Sequence, residues 1–145
     1  MPRILAVDWG ERRVGLAVSD PTGIIATGLD TLEVRNANDA LTRVSEVARR
    51  EEVEAVVVGL PLLMSGERGE AAEAAQSFAD ALARRLEVPV STYDERLTSA
   101  LSARRLREAG VRTGHARKKV DQGAAIALLE SYLSRLQSRS RPGGP

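Results

Sequence analysis

Cysteine is absent from this 145-residue chain and there is one histidine. Disulfides, thiolate metal centres and a cysteine nucleophile are therefore excluded, and His115 cannot by itself build a polyhistidine zinc site. Any metal must be held mainly by oxygen. Aromatic residues are few, one Trp, two Tyr and one Phe, too few for a platform on which single-stranded bases stack. No apolar run approaches the roughly 20 residues of a membrane span. Met1-Pro2-Arg3 leads straight into strand pattern instead of a signal peptide, so a cytoplasmic protein without membrane contact is expected. Net charge is only +1, and it is unevenly spread. Glu33 to Glu87 holds eleven acids against seven bases, whereas Arg96 to Lys119 holds eight bases and the single acid Glu108. Solvated helix faces account for such a run; so does a surface that takes phosphates.

What the chain does contain is organised as a single domain over residues 1–137, followed by a polar, glycine- and proline-rich tail, 138–145, expected to be disordered. Three strand-like segments come first: Arg3 to Trp9, Val14 to Ser19 and Ile24 to Leu32. Gly10 with Arg12-Arg13 separates the first two, and Asp20-Pro21-Thr22-Gly23 has the chemistry of a tight turn. An antiparallel meander results. Asn36 or Asn38 caps a helix with Leu41, Val44 and Val47 on its apolar face. The continuously apolar Ala55 to Val58 reads as a strand covered on both faces. A helix over Glu67 to Leu86 follows, with Ala71, Ala74, Ala75, Phe78, Ala81 and Leu82 inward, and then a strand from Val88 to Tyr93. Leu97 to Ala109 reads as a helix stopped by Gly110, and Val111 to Lys119 as a basic link to a last helix from Val120 to about Gln137. This is an α/β order: a five-stranded mixed sheet, three meander strands and then two parallel strands returned by right-handed crossovers, flanked by helices.

That topology brings together the ends of the first, fourth and fifth strands, where carboxylates stand. Asp8 closes the apolar run Ile4 to Val7, and a charge at the end of a buried strand is costly unless paired or holding a metal. Asp94-Glu95 closes the fifth strand, and Asp121 opens the last helix ahead of the small residues Gly123, Ala124 and Ala125. Phosphodiester cleavage by Mg²⁺ or Mn²⁺ ions about 4 Å apart needs carboxylate oxygens converging from separate elements. Each acid also has an ordinary explanation: a turn former before Gly10 for Asp8, an ion pair with Arg96 for Glu95, and a first-turn acid favoured by the helix dipole for Asp121. Asp94 rivals Glu95, because neighbouring strand residues point to opposite faces. Asp20 reads as structural. Gly59 and Gly66 read as turn residues, since no lysine follows in a phosphate-loop pattern.

Four blocks in order carry a family resemblance. They are Asp8-Trp9-Gly10 with Arg13 to Asp20, then Val57-Val58-Gly59-Leu60-Pro61-Leu62, then Asp94-Glu95-Arg96-Leu97-Thr98, and finally Lys119-Val120-Asp121 with Ala124-Ala125 and Leu129 to Leu133. Together they resemble the YqgF/RuvX family. The resemblance implies a ribonuclease H-like fold and a nuclease that matures precursor 16S ribosomal RNA ends, with Holliday junction resolution as the alternative activity. It also implies Asp8, Glu95 and Asp121 as metal-binding and catalytic acids, and so selects Glu95 over Asp94. On this reading Asp8 bridges Mg²⁺ or Mn²⁺ ions, Glu95 and Asp121 complete their shells, and Arg13, Arg96, Arg117, Lys118 and Lys119 contact the phosphates of RNA or branched DNA. A resolvase implies a homodimer; rRNA maturation implies ribosome-associated partners. The chain departs from the family's frequent residues at Leu63, Ser65 and Glu11, where asparagine, aspartate and threonine are common. Two rival classes remain: a non-catalytic RNA- or ribosome-binding module, and a small-molecule phosphotransfer domain of sugar-kinase type, for which the chain is too short to supply a second half-domain.

Overall fold

A computed structural model describes residues 3–98 and 115–139, with side chains described for 3–98 and 122–138. Five strands form one sheet: β1 (Ile4–Trp9), β2 (Arg13–Ser19), β3 (Ala26–Glu33), β4 (Ala55–Leu60) and β5 (Val90–Asp94), in the order β3-β2-β1-β4-β5. β1 to β3 are antiparallel neighbours, and β4 and β5 run parallel to β1. The helices are α1 (Ala37–Arg50), α2 (Glu70–Arg85) and α3 (His115–Arg139), with a 3₁₀ turn at Glu95–Leu97. The mixed sheet expected from the sequence is the one observed.

Strand alternation divides the interior into two layers. Leu5, Val7, Val14, Leu16, Val18, Val56 and Val58 face α1 and α2, where they meet Val44, Val47, Phe78 and Leu82. Trp9 belongs to this layer and stacks on Phe78 with ring centroids 5.5 Å apart, so it serves packing. The other face presents Ile4, Ala6, Ala17 and Val57 to Ala124, Ala125, Leu128, Leu129 and Leu133 of α3. Two of these four strand side chains, Ala6 and Ala17, are small, and α3 lies close to the sheet. A Cβ on Gly28 of β3 would stand only 3.1 Å from Ile126 Cδ1. Of the three small residues after Asp121, Ala124 and Ala125 are buried against the sheet, whereas a Cβ on Gly123 would meet nothing within 4 Å.

Several element boundaries differ from expectation for identifiable reasons. β3 starts at Ala26, because the backbone N–H groups of Ile24 and Ile25 both donate to the Asp20 carboxylate at 2.9 Å and hold the turn open for two more residues. Asn36, and not Asn38, caps α1 by accepting from Asp39 N at 2.8 Å; Asn38 instead accepts from Arg85 Nη2 at 2.7 Å. α2 buries Ala72, Ala75, Phe78, Ala79 and Leu82, leaving Ala71, Ala74 and Ala81 outside the buried set. In an alanine-rich helix the two bulky residues, Phe78 and Leu82 one turn apart, decide the face. β4 continues to Leu60, and β5 is displaced to Val90–Asp94. α3 begins at His115, so the second half of the expected basic link is helical, consistent with the helix-forming preference of Ala, Arg and Lys. Leu97 lies in the 3₁₀ turn and Thr98 is extended, so no helix starts there. The remainder of the helix expected to Ala109, its cap Gly110 and the tail after Arg139 lie outside the described residues.

The Asp20 turn makes a testable acid transition. Hydrogen bonds from the Thr22 hydroxyl and from the Ile25 and Ile24 amides hold its pKa at about 2, below the ordinary 3.8. A carboxyl depressed in the folded state stabilises the protein above pH 3.8, and that contribution fades as pH falls through about 2. Asp20→Asn is therefore expected to flatten the melting temperature between pH 4 and pH 2 relative to the parent. Parallel curves for the two proteins over that interval would mean the turn carboxylate does not contribute.

Candidate active site

Asp8 and Glu95 are fully buried. Asp8 shares its parity on β1 with Ile4 and Ala6, which face α3, and it pairs with Gly15 on β2. On the other side β1 runs in register with β4 to Val7↔Val58, and one further step along both strands leads to Asp8 and Gly59. Gly59 in turn pairs with Tyr93 of β5, another residue of the α3-facing layer. Glu95 lies just beyond β5, and its side chain lies over Gly59: an added Cβ there would stand 3.1 Å from both Glu95 Cγ and Cδ and would collide with Oε1. The two buried carboxylates thus come from the ends of β1 and β5, on either side of β4, on the same face of the sheet.

Asp94 has a different place. Its Oδ1 accepts from Arg96 N at 2.9 Å and its Oδ2 from Arg96 Nη2 at 2.8 Å, and it is less buried than Glu95. The Arg96 guanidinium, mainly through these hydrogen bonds, lowers the Asp94 pKa. Arg96 also donates from Nη1 to the Met64 carbonyl at 3.3 Å, which joins this turn to the loop after β4. Its guanidinium thus holds the Asp94–Thr98 turn. Arg96, expected on substrate phosphates, stands in this clasp with its side chain still part-exposed. In the same loop Ser65 Oγ accepts from Glu67 N at 3.3 Å, and Gly66, at φ +91°, donates its N–H to the Leu63 carbonyl at 2.8 Å. Leu63 and Met64 are exposed.

α3 is fixed against this face by polar contacts along its length. Gln122 Nε2 donates to Leu29 O at 3.0 Å, and the hydroxyls of Tyr93 and Ser131 are 3.0 Å apart. Asp121 stands on this helix three, four and seven residues before the buried Ala124, Ala125 and Leu128; side chains before Gln122, including those of Asp121, Arg117, Lys118, Lys119 and His115, lie outside the described residues. Arg13 opens β2 with the parity of Gly15 and Ala17, on the α3 side, and is half-buried 3.9 Å from Glu33. Gly10 makes the β1–β2 turn possible, since a Cβ would lie 2.7 Å from Arg13 O. Glu11, in that turn, is exposed.

Among the described residues no group of three acidic, histidine or cysteine side chains gathers at a cation site. The two buried carboxylates, Asp8 and Glu95, offer oxygen donors of the kind that hard divalent cations take. A cavity of about 400 Å³ lies at the opposite end of the sheet, between the C-terminal ends of α1 and α2, lined by Ala48, Arg49, Glu52, Val53, Arg85, Leu86, Glu87 and Val88. It takes no part in this site. Among the described residues no helix is long and apolar enough to cross a membrane.

Comparison with known proteins agrees with the geometry. The chain is 42% identical over 135 residues to a Chloroflexus aurantiacus protein named "Putative pre-16S rRNA nuclease", covering 93% of this chain and 88% of that one. A Pelotomaculum thermopropionicum protein of the same name is 40% identical over 151 aligned positions, covering 99% and 97%. Among solved structures, Thermus thermophilus RuvC in complex with a Holliday junction substrate superposes with a TM-score of 0.59 at 21% identity, over 95% of this chain and 98% of that one. The fowlpox virus resolvase bound to Holliday junction DNA gives 0.56 at 13% identity, over 92% and 98%. These two likenesses establish a shared fold, that of the ribonuclease H-like resolvases. The family model described as "RuvX: Holliday junction resolvase" matches residues 2–135, and the chain belongs to the RuvX family.

Proposed function

We propose that this protein is a divalent-metal-dependent nuclease that hydrolyses phosphodiester bonds, acting in the maturation of precursor 16S rRNA ends. The observation that carries this is the pair of fully buried carboxylates, Asp8 and Glu95, at the ends of β1 and β5 on the sheet face covered by the helix that bears Asp121. Burying two such charges is costly without a cation or donors to offset them. The family and the names of its curated relatives point to the same chemistry.

Mg²⁺ or Mn²⁺ bound there would supply a water activated at neutral pH and would offset charge developing on the phosphate. The chain's own residues do the rest. Asp8, Glu95 and Asp121 hold the cations through carboxylate oxygens on two strand ends and one helix, elements stiff enough to fix their spacing. Arg13 and the helical Arg117, Lys118 and Lys119 contact substrate phosphates. The Asp94–Arg96 clasp holds the turn that directs Glu95 inward.

The experiment is cleavage by the full chain, with Mn²⁺, Mg²⁺ or chelator, of three substrates: an RNA carrying precursor 16S ends, unstructured RNA and a four-way DNA junction. Metal-dependent cutting favouring the precursor RNA is expected. Preference for the junction would replace this substrate with the one named in the family description. Salt-sensitive binding with no cutting under any metal would sink the enzymatic reading in favour of a binding module.

A further inference from the structure

We infer that Gly59 is a positioning residue: the missing side chain on β4 is the space in which the Glu95 carboxylate sits. This rests on the reading of Glu95 as a cation ligand. Three observations carry it. A Cβ at residue 59 would lie 3.1 Å from Glu95 Cγ and Cδ and would overlap Oε1. Gly59 is not among the residues of positive φ, so alanine meets no left-handed strain there, and the three atoms nearest an added Cβ all belong to Glu95. The backbone of Glu95 is held in place: Thr98 donates to the Glu95 carbonyl from N at 3.1 Å and from Oγ1 at 3.0 Å, while Asp94 and Arg96 close the turn on either side. With the backbone fixed, a methyl group at residue 59 is accommodated by the flexible end of Glu95, and the carboxylate is what moves.

Gly59 is thus more than the end of a strand before a loop. It separates Asp8 on β1 from Tyr93 on β5 and leaves the α3-facing side of β4 open at the level where the carboxylates stand. A side chain at this one position would fill the site from its floor.

The test is Mn²⁺ binding, by calorimetry and by the electron paramagnetic resonance of free Mn²⁺, to the full chain and to G59A, E95Q and G59A/E95Q, with melting curves for each. G59A is expected to weaken Mn²⁺ binding by about 10–100-fold, the range typical when a group that orients a ligand is changed. E95Q is expected to weaken it comparably, and the double variant no further than E95Q, because there is then no carboxylate to displace. Wild-type affinity in G59A beside weakened E95Q overturns the inference, as do losses that multiply in the double variant. Wild-type affinity in E95Q shows instead that Glu95 is not a ligand, and the inference falls with that reading. Should G59A unfold, the same contact requires G59A/E95D, with its shorter side chain, to recover folding; failure to recover overturns the inference as well.

Discussion

Asp8→Asn is expected to lower metal-dependent cleavage by about three orders of magnitude, equivalent to about 4 kcal/mol of transition-state stabilisation, while leaving the fold intact. Asp8 is fully buried at the end of a strand whose other residues are apolar, between Gly15 on β2 and the level of Gly59 on β4. Asparagine has nearly the same shape; it removes the charge and turns one acceptor oxygen into an NH₂ donor. The sheet, Trp9 on Phe78 and the apolar layer of α1 and α2 are untouched by the exchange. A melting curve of the variant separates a loss of activity from unfolding. A second readout separates metal binding from chemistry. Mn²⁺ at about 100 times its dissociation constant stabilises a protein that binds it only when folded by about 2.7 kcal/mol, visible as a rise in melting temperature. The parent should show this rise and Asp8→Asn should not. Cleavage at the parent rate by the variant, with the rise preserved, would remove Asp8 from the site.

The sheet was legible because its strands advertise themselves in different ways. β4 is apolar throughout and β1 is apolar up to Asp8, as strands covered on both faces must be, and the Asp20 to Gly23 turn dictates the hairpin between β2 and β3. The buried position of Asp8 was legible for the same reason: a carboxylate at the end of such a run has nowhere else to go. The choice between Asp94 and Glu95 was not legible from period-2 alternation, because alternation stops at Asp94 and a 3₁₀ turn takes over at Glu95. What separates them is a local contact, Asp94 with Arg96, that leaves Glu95 to face inward. Gly59 could not be read as part of the site, since a glycine's neighbour across the sheet is invisible in one dimension. The burial face of α2 was obscured by its alanines, which satisfy several helical registers equally. The start of α3 was placed late because a basic cluster was read as a link, although its residues favour helix.

The second large effect concerns α3, which covers one face of the sheet among the described residues and carries the third acid of the proposed site. Leu128→Ala is expected to destabilise the protein by about 2–5 kcal/mol, the range for a buried leucine truncated to alanine. The upper part of that range is favoured by the composition of the layer. Its strand residues are chiefly small, Ala6 and Ala17 with Ile4 and Val57, so the bulk that fills the space between sheet and helix comes from Leu128, Leu129 and Leu133. Small strand side chains have no spare atoms to swing into a hole left at residue 128, and the cavity persists. α3 cannot settle closer either. Gly28 already brings the helix to the limit of contact at Ile126, and Gln122 is bonded to Leu29 O. Urea unfolding of the full chain measures the change, and a loss below about 1 kcal/mol would contradict close packing on this face. Leu128 lies two helical turns beyond Asp121, so the folded fraction should bind Mn²⁺ with near-parent affinity. Loss of metal affinity in proportion to loss of stability would instead show that α3 leaves the sheet as a unit, making cation binding and helix docking a single equilibrium.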